Sequence, residues 1–303
     1  MAKLSLFSSN PEARAKPCLR KEGSRLKGEY LQAAEQQLAW QRYMAEQGAR
    51  FGRDMPVEGG GLGADPPWSE VERYYNTQRT GFGLPLFKGD LFYVGPEFCD
   101  VLQRAVDALT YDVTVQAPWF PTPVGFVYFH RDMELPDLQT PPPDAKNGLA
   151  FRALGWSCLK KGRQVEGGYH AVVVDDPAET EHIMWATFLE YPATGGFIPM
   201  SFLSFKPGES LNAVIAEKME EAEPKDRYRE PAQRHELRYA AVLLLLLQQR
   251  FLVQRTLALE WDRGTRRRHE REVVTAPDNI KVITFRKEIY SGHATTHHNR
   301  DSR

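Results

Sequence analysis

The sequence has few cysteines, and their number and spacing argue against two kinds of cross-linked protein. Cys18, Cys99 and Cys158 are the three cysteines among 303 residues. An odd number at wide spacing argues against a disulfide framework and against a cysteine-based zinc site. We predict Cys99 on a helix and Cys158 in a strand, both as small buried residues. This cysteine usage is typical of a reducing compartment, and we expect a cytoplasmic protein.

The sequence also lacks an apolar run of the length that membrane proteins contain. The most apolar stretch, residues 239–247, has nine residues, whereas a spanning helix needs about 20. Gln248, Gln249 and Arg250 follow it, and an arginine at the bilayer centre costs about 2.5–3.5 kcal/mol. No apolar segment of a secretory signal occurs near residue 1. The stretch is therefore predicted to be a buried core helix, and we expect no membrane partner.

An excess of charge of either sign is missing. The 39 Lys and Arg residues nearly balance the 40 Asp and Glu residues, which gives a formal charge of −1. The chain as a whole therefore does not attract a polyanion, and contact with nucleic acid requires a local basic patch. Apolar residues make up 42% and charged residues 26%, which are values typical of globular proteins with a sizeable core.

The order of apolar patterns predicts strands grouped between helices. Residues 29–47 favour a helix through their Ala, Gln, Glu and Leu content, and a long helix is predicted over about 232–258. Pro96 suits the first turn of a helix that follows a strand at 91–95. β-branched and aromatic residues predict the other strands, at 112–116, 124–130, 151–159, 169–176, 182–191, 201–205 and 279–287. This order predicts an α+β fold, with a mainly antiparallel sheet packed on the long apolar helix and an N-terminal helical extension.

Composition changes along the chain predict three regions. Residues 1–65 are predicted to form a flexible N-terminus with one helix and a Gly/Pro linker. The linker contains four glycines close together, but no Lys-Ser or Lys-Thr pair follows them, which argues against a phosphate-binding loop. Residues 66–287 are predicted to form a single α+β domain, and residues 288–303 a disordered tail.

An arginine-rich tract is the main candidate for a binding site. Only Asp262 and Glu270 oppose its cations, and guanidinium groups match phosphate oxygens in shape and charge. The tract could therefore contact the backbone of DNA or RNA. The alternative is a solvated end of the long helix, whose cations suit the helix dipole. The candidate nucleic-acid-binding residues are Arg263, Arg266, Arg267, Arg268 and Arg271.

Carboxylates and histidines offer a second class of site. Asp175 and Asp176 end a predicted strand near His170 and His182, and such a set could hold the metal of a hydrolase or nuclease. The same Asp-Asp-Pro sequence is also an ordinary turn. Near the chain end, His293, His297 and His298 are candidate metal ligands, although a solvated tail is the favoured interpretation. We predict no cofactor and leave open whether the chain is an enzyme.

His130, Arg131 and Asp132 resemble the catalytic-loop triplet of protein kinases. In that motif an asparagine follows the aspartate at the fifth position, but this chain has Asp137 there. No DFG sequence accompanies the triplet. The favoured interpretation is therefore the polar end of the strand at 124–130.

Three features of the last quarter of the chain together resemble a family of uncharacterised proteins from actinobacteria and their phages. These are the apolar helix with Gln248 and Gln249, the tract from Arg263 to Arg271, and the strand at 282–287, which is similar to a VxxLRR form. The sequences PTPVGFVYF and FRALGWS add a fainter match. The resemblance implies an intracellular bacterial or phage protein and no particular reaction.

Members of that family usually continue past this strand into a segment rich in Trp, His and Arg. This chain ends at Arg303, where that segment would begin. The resemblance therefore implies that the chain lacks the segment. It would then be a naturally short member, the product of a split gene or a truncated chain.

Three functions remain open from the sequence. The first is an intracellular accessory or regulatory protein that contacts nucleic acid through its arginine-rich segment. The second is a metal-dependent hydrolase or nuclease that uses the Asp175–Asp176 pair with a nearby histidine. The third is a protein-interaction module that uses the helices at 29–47 and 232–258.

Overall fold

The computed structural model describes residues 25–43, 82–134, 150–165, 168–191, 196–221, 230–249, 252–272 and 274–285. These ranges contain six α-helices and eight β-strands. The helices are α1 (residues 25–43), α2 (Leu84–Lys88), α3 (Pro96–Asp107), α4 (Leu211–Glu221), α5 (Glu230–Leu247) and α6 (Arg263–Arg271). The strands are β1 (Asp90–Val94), β2 (Val124–Met133), β3 (Ala150–Val165), β4 (Gly168–Val173), β5 (His182–Tyr191), β6 (Gly196–Phe205), β7 (Leu252–Ala258) and β8 (Asn279–Phe285).

All eight strands join one mixed sheet. Seven of them lie in the order β6-β5-β3-β2-β1-β8-β7, and β4 pairs with the far half of β3. Strand β1 is parallel to both of its neighbours, β2 and β8, while the other pairs are antiparallel. Helix α3 makes the crossover that parallel strands β1 and β2 require. The fold is therefore α+β with a mainly antiparallel sheet, as the sequence predicts.

Alternating apolar side chains give the sheet two buried faces. In β1, Phe92 and Val94 belong to one buried cluster, while Leu91 and Tyr93 belong to the other. This alternation follows from the pleat of a strand, which directs successive side chains to opposite sides. We name the two sides of the sheet the α5 face and the α1 face, after the longest helix that covers each.

The α5 face is covered by the apolar helix that the leucine run forms. Leu237, Leu243 and Leu244 are at most 1% exposed, and they pack in the same cluster as α3 residues such as Phe98 and Leu102. The prediction of a buried core helix is confirmed as far as Leu247. Within the described ranges, none of the helices combines the length and the apolar character that crossing a membrane requires.

The α1 face is covered by the first described helix. Trp40 stacks on Phe188 with ring centroids 5.5 Å apart, and it meets Phe126 edge-on at 5.6 Å. Ala33 and Ala34 are fully buried beside them, so small side chains let the helix approach the sheet closely. Helix α1 is thus one of the outer layers of a three-layer arrangement, because it shares a core with the sheet.

The long helix predicted over residues 232–258 is wrong in its second part. Helix α5 ends at Leu247, Leu252 N–H donates to the Gln249 carbonyl (3.1 Å), and residues 252–258 form strand β7. Backbone pairing with β8 decides the structure of this segment, since its local propensity permits helix or strand. The arginine tract is therefore a separate helix and not the wet end of the core helix.

The strand predicted at 112–116 is also wrong. The chain makes a single bridge there, between Thr114 and Ser210. The Asp112 carboxylate accepts hydrogen bonds from the Ser210 hydroxyl and from the Asn212 N–H (3.1 Å). Such side-chain bonds hold irregular backbone in place of a sheet ladder. The other predicted strands overlap β1–β6 and β8, although the strand predicted at 169–176 ends at Val173, and the helix that starts at Pro96 is confirmed.

Candidate functional site

Helix α6 carries the five arginines that the sequence singles out, and it begins at a charged cap. The Asp262 carboxylate accepts hydrogen bonds from Gly264 N–H (2.8 Å) and Thr265 N–H (3.0 Å), and from the Thr265 hydroxyl. The bonds from Thr265, and then that from Gly264, hold the pKa of Asp262 below its ordinary value. Two helix-terminal donors are satisfied in this way, so the start of the helix is fixed.

One side of α6 is buried against the rest of the molecule. His269 is 2% exposed, and its ring meets the Trp261 indole edge-on, with centroids 5.0 Å apart. The Trp261 Nε1–H donates to the Pro277 carbonyl (2.9 Å). Just after the helix, Glu272 accepts a hydrogen bond from Arg42 Nε of α1 (2.5 Å). These contacts hold α6 in one orientation.

Gln41 connects α1 to the segment that follows α6. Its Nε2 group donates to the Leu86 carbonyl (2.7 Å) and to the Thr275 carbonyl (3.0 Å). Its Oε1 accepts from Thr275 N–H (2.8 Å). The side chain is 1% exposed, so these bonds form away from water and fix the position of α6 relative to α1.

The outward side of α6 carries its five arginine cations. All five of its arginines are exposed. Within the described ranges, none of them has a carboxylate oxygen within the 4.0 Å of an ion pair. Arg271 Nε donates only to the carbonyl of Arg267, at 3.2 Å. The opposite side of the helix holds His269 and Thr265, so the cations lie on the water side.

Burial acts on the protonation of His269. Burial lowers the pKa of its imidazole below the ordinary value, and the nearby cations Arg42 and Arg268 lower it further. Glu272 and Glu35 act in the opposite direction and do not cancel this effect. Within the described residues, neither ring nitrogen has a hydrogen-bond partner. The neutral ring is therefore the form that fits beneath α6.

The carboxylate pair Asp175 and Asp176 lies on an exposed turn. Asp176 accepts from Ala178 N–H (2.9 Å) and caps the short 3₁₀ turn at Pro177–Glu179. His182 begins β5 and pairs with Leu159, and the side chain of His170 lies outside the described part. Among the described residues, no group of three or more His, Cys, Asp or Glu side chains is arranged to hold a metal ion. Asp175 and Asp176 are therefore residues of a turn in the described structure.

The remaining sequence candidates divide into buried cysteines and residues that are not described. Cys99 and Cys158 are fully buried free thiols, as predicted. Burial raises the pKa of the Cys158 thiol to about 12, and it also raises the pKa of Cys99. Both are therefore neutral apolar residues at physiological pH. Three residues proposed as metal ligands lie outside the described ranges, namely His293, His297 and His298.

A polar cluster that the sequence did not reveal joins α1 to the ends of β1 and β2. The Tyr93 hydroxyl donates to Glu29 Oε2 (3.0 Å) and lies 2.6 Å from His130 Nδ1. Burial, and then the hydrogen bond to Glu29, raise the pKa of Tyr93 well above its ordinary value. His130 could be noticed in the sequence as a polar strand end, but nothing linked it to Glu29, which is about 100 residues away.

Comparison of the chain with models of known protein families, with curated proteins and with solved structures found no match.

Proposed function

We propose that the chain is an accessory or regulatory protein that binds the phosphate backbone of a nucleic acid through helix α6. The observation that carries this proposal is the set of five exposed arginines with no ion-pair partner in the described part of the chain. Exposed guanidinium groups match the geometry of phosphate oxygens and can bind them in a bidentate way. The resemblance to uncharacterised actinobacterial and phage proteins stays a prediction beside it.

The spacing of the arginines supports contact with successive phosphates. Arg263, Arg267 and Arg271 are four residues apart, so they follow one another along one face of the helix. At 1.5 Å rise per residue, neighbours in this row are separated by about 6 Å along the axis. Arg266 and Arg268 lie on either side of the row. A duplex carries a charge on each strand about every 3.4 Å, so several phosphates lie within reach of the row.

The rigid attachment of α6 also supports the proposal. The side chains of Trp261 and His269, the Asp262 cap and the Arg42–Glu272 pair fix the backbone from which the arginines project. A preorganised helix loses less conformational entropy on binding than a flexible arginine tail does. Because the proposed contacts are to phosphate oxygens, which carry no sequence information, we expect binding that depends little on sequence.

The test is binding of the full chain to fluorescent double-stranded DNA, single-stranded DNA and RNA at low salt. The variant replaces Arg266, Arg267 and Arg268 with Ala. The matched control replaces Lys88, Arg104 and Lys206 with Ala, since these exposed cations lie outside α6 and the change in net charge is the same. We expect the α6 variant to bind at least tenfold more weakly than the control variant. Equal affinities would refute the assignment of the site to α6.

A further inference from the structure

A groove lies between strand β7 and the first turns of helix α1. It has a volume of about 840 Å³, which is comparable to that of established ligand sites. One wall comes from α1 and includes Leu26, Tyr30 and Leu31. The other wall is β7, from which Val253, Arg255, Leu257 and Ala258 line the groove, and β8 contributes the residues from Val282 to Phe285. The groove therefore lies against the side chains of a strand at the edge of the described sheet.

Strand β7 is the last strand at one end of the sheet in the described part of the chain. It pairs with β8 on one side, and within the described residues no strand lies on its other side. It has seven residues, and five of them are exposed. An exposed edge presents a row of unpaired N–H and C=O groups, which can accept a further strand. An extended chain satisfies those groups in a way that a small molecule cannot.

The side chains that β7 turns towards the α1 face have an apolar-cationic-apolar pattern. Val253, Arg255 and Leu257 lie opposite Thr284, Val282 and Ile280 of β8. Leu257 is 37% exposed, which is high for leucine in a sheet. The strand therefore offers one cation with one apolar side chain on each side of it.

Arg255 is the cation without an ion-pair partner in the described part of this groove. The other two cations at the groove each have a carboxylate nearby. Arg25 lies 3.4 Å from Glu29, and Lys27 lies 3.9 Å from Glu260. Among the described residues, none of the carboxylates forms such a pair with Arg255. A carboxylate on the occupant would complement it.

We propose that β7 accepts an extended segment of a partner protein as an added strand. The segment carries an acidic side chain opposite Arg255, with apolar side chains two residues before and after it. A second copy of this chain does not fit that pattern, because Arg255 is the central residue of β7. Antiparallel pairing of two β7 strands about their centres would place two guanidinium groups together, and like charges directly opposite each other are destabilising.

The probe is the blocked heptapeptide Thr-Val-Thr-Glu-Thr-Leu-Thr, and its control has Lys in place of Glu. The full chain is titrated with each peptide to millimolar concentration while hydrogen exchange of the β7 amides is followed. We expect saturable protection of β7, with the Glu peptide about fivefold tighter than the Lys peptide. In the variant Arg255→Glu we expect the preference to reverse. Lys88→Glu makes the same change of charge outside the groove and should leave the preference unchanged.

Three results would overturn the proposal. The first is an absence of protection in β7 at millimolar peptide. The second is an unchanged preference in Arg255→Glu, because the arginine would then not face the added strand. The third is protection of β7 that grows with protein concentration alone, which would identify a second copy as the occupant. The variant with Arg266, Arg267 and Arg268 replaced should still bind the Glu peptide, so this proposal and the nucleic-acid proposal can fail separately.

Discussion

The imidazole of His269 stands nearly perpendicular to the indole of Trp261, at 86° and with ring centroids 5.0 Å apart. This pair fills the space beneath α6. The His269 imidazole is buried there, and its pKa is lowered. The docking of the arginine helix is therefore linked to the protonation of a residue that never reaches the arginine surface.

Acidification should destabilise the protein through His269. The lowered pKa means that the neutral ring is favoured in the folded state, so its contribution is complete above the ordinary histidine pKa of about 6.5. As the pH falls below that value, the His269 imidazole binds a proton in the unfolded state but not in the folded state. The loss is at most about 1.4 kcal/mol per pH unit. Urea unfolding at pH 7.5 and pH 5.5 measures it.

The variant His269→Leu isolates this effect. The buried His235 also has a lowered pKa and changes stability in the same direction, so the difference between the two proteins is the informative quantity. We expect the variant to lose less stability on acidification than the unmodified chain. Identical pH dependences would show that His269 is already protonated or solvated in the folded state.

Replacement of Gln41 by Leu should loosen the attachment of α6. The change removes three hydrogen bonds and leaves the Thr275 N–H and carbonyl without these partners, next to a side chain that is 1% exposed, while the Leu86 carbonyl keeps its bond from Gln37 Nε2 (3.1 Å). We expect a loss of about 2–3 kcal/mol in the free energy of unfolding. Chemical denaturation of Gln41→Leu measures this cost. Gln36→Leu on the same helix is the control, because the Gln36 amide nitrogen already lacks a partner among the described residues.

A methyl group added at Gly125 should be poorly tolerated. The new Cβ would lie 2.1 Å from Cζ2 of the Trp156 ring. That ring is fully buried, and its Nε1–H is held by the Thr122 carbonyl (2.8 Å), so it cannot move aside. We expect Gly125→Ala to cost about 3 kcal/mol or more. Thermal unfolding measures the loss.

The matched change at Gly28 should have the opposite sign. Gly28 lies in α1 and is exposed, and a Cβ there meets no atom within 4 Å. Because alanine is a better helix former than glycine, Gly28→Ala should raise stability by about 0.5–1 kcal/mol. A loss of stability in this variant would mean that the first turns of α1 are not helical in solution.

Removal of the Tyr93 hydroxyl should weaken the attachment of α1 to β1 and β2. Tyr93→Phe leaves Glu29 and His130 without their shared partner, and we expect a cost of about 1–2 kcal/mol. Because the pKa of Tyr93 is raised, its ionisation in the folded chain should begin only well above pH 10. Ultraviolet titration of the unmodified chain and the variant measures it. If the unmodified chain contains a tyrosine that titrates below pH 10 and Tyr93→Phe lacks it, this account of the cluster is contradicted.

The apolar pattern was sufficient to predict most of the fold, and pairing between distant segments accounts for the errors. Strand β5 and helix α3 could be recognised because period and flanking Gly or Pro residues agree with the final structure. Residues 252–258 have no such agreement, and their strand exists because β8 lies beside them. The arginines of α6 were visible as a cluster of charge. The cluster of Glu29, Tyr93 and His130 was not, because folding alone brings these residues together.

The most direct test of the central claim is the salt dependence of nucleic-acid binding. The logarithm of the binding constant for duplex DNA is measured against the logarithm of salt concentration, for the unmodified chain and for the variant with Arg266, Arg267 and Arg268 replaced by Ala. Each lost phosphate contact should reduce the slope by about 0.9, so the variant should be flatter by about 2–3 units. Equal slopes, or no binding of the unmodified chain at low salt, would contradict the assignment of α6 as a phosphate-binding helix.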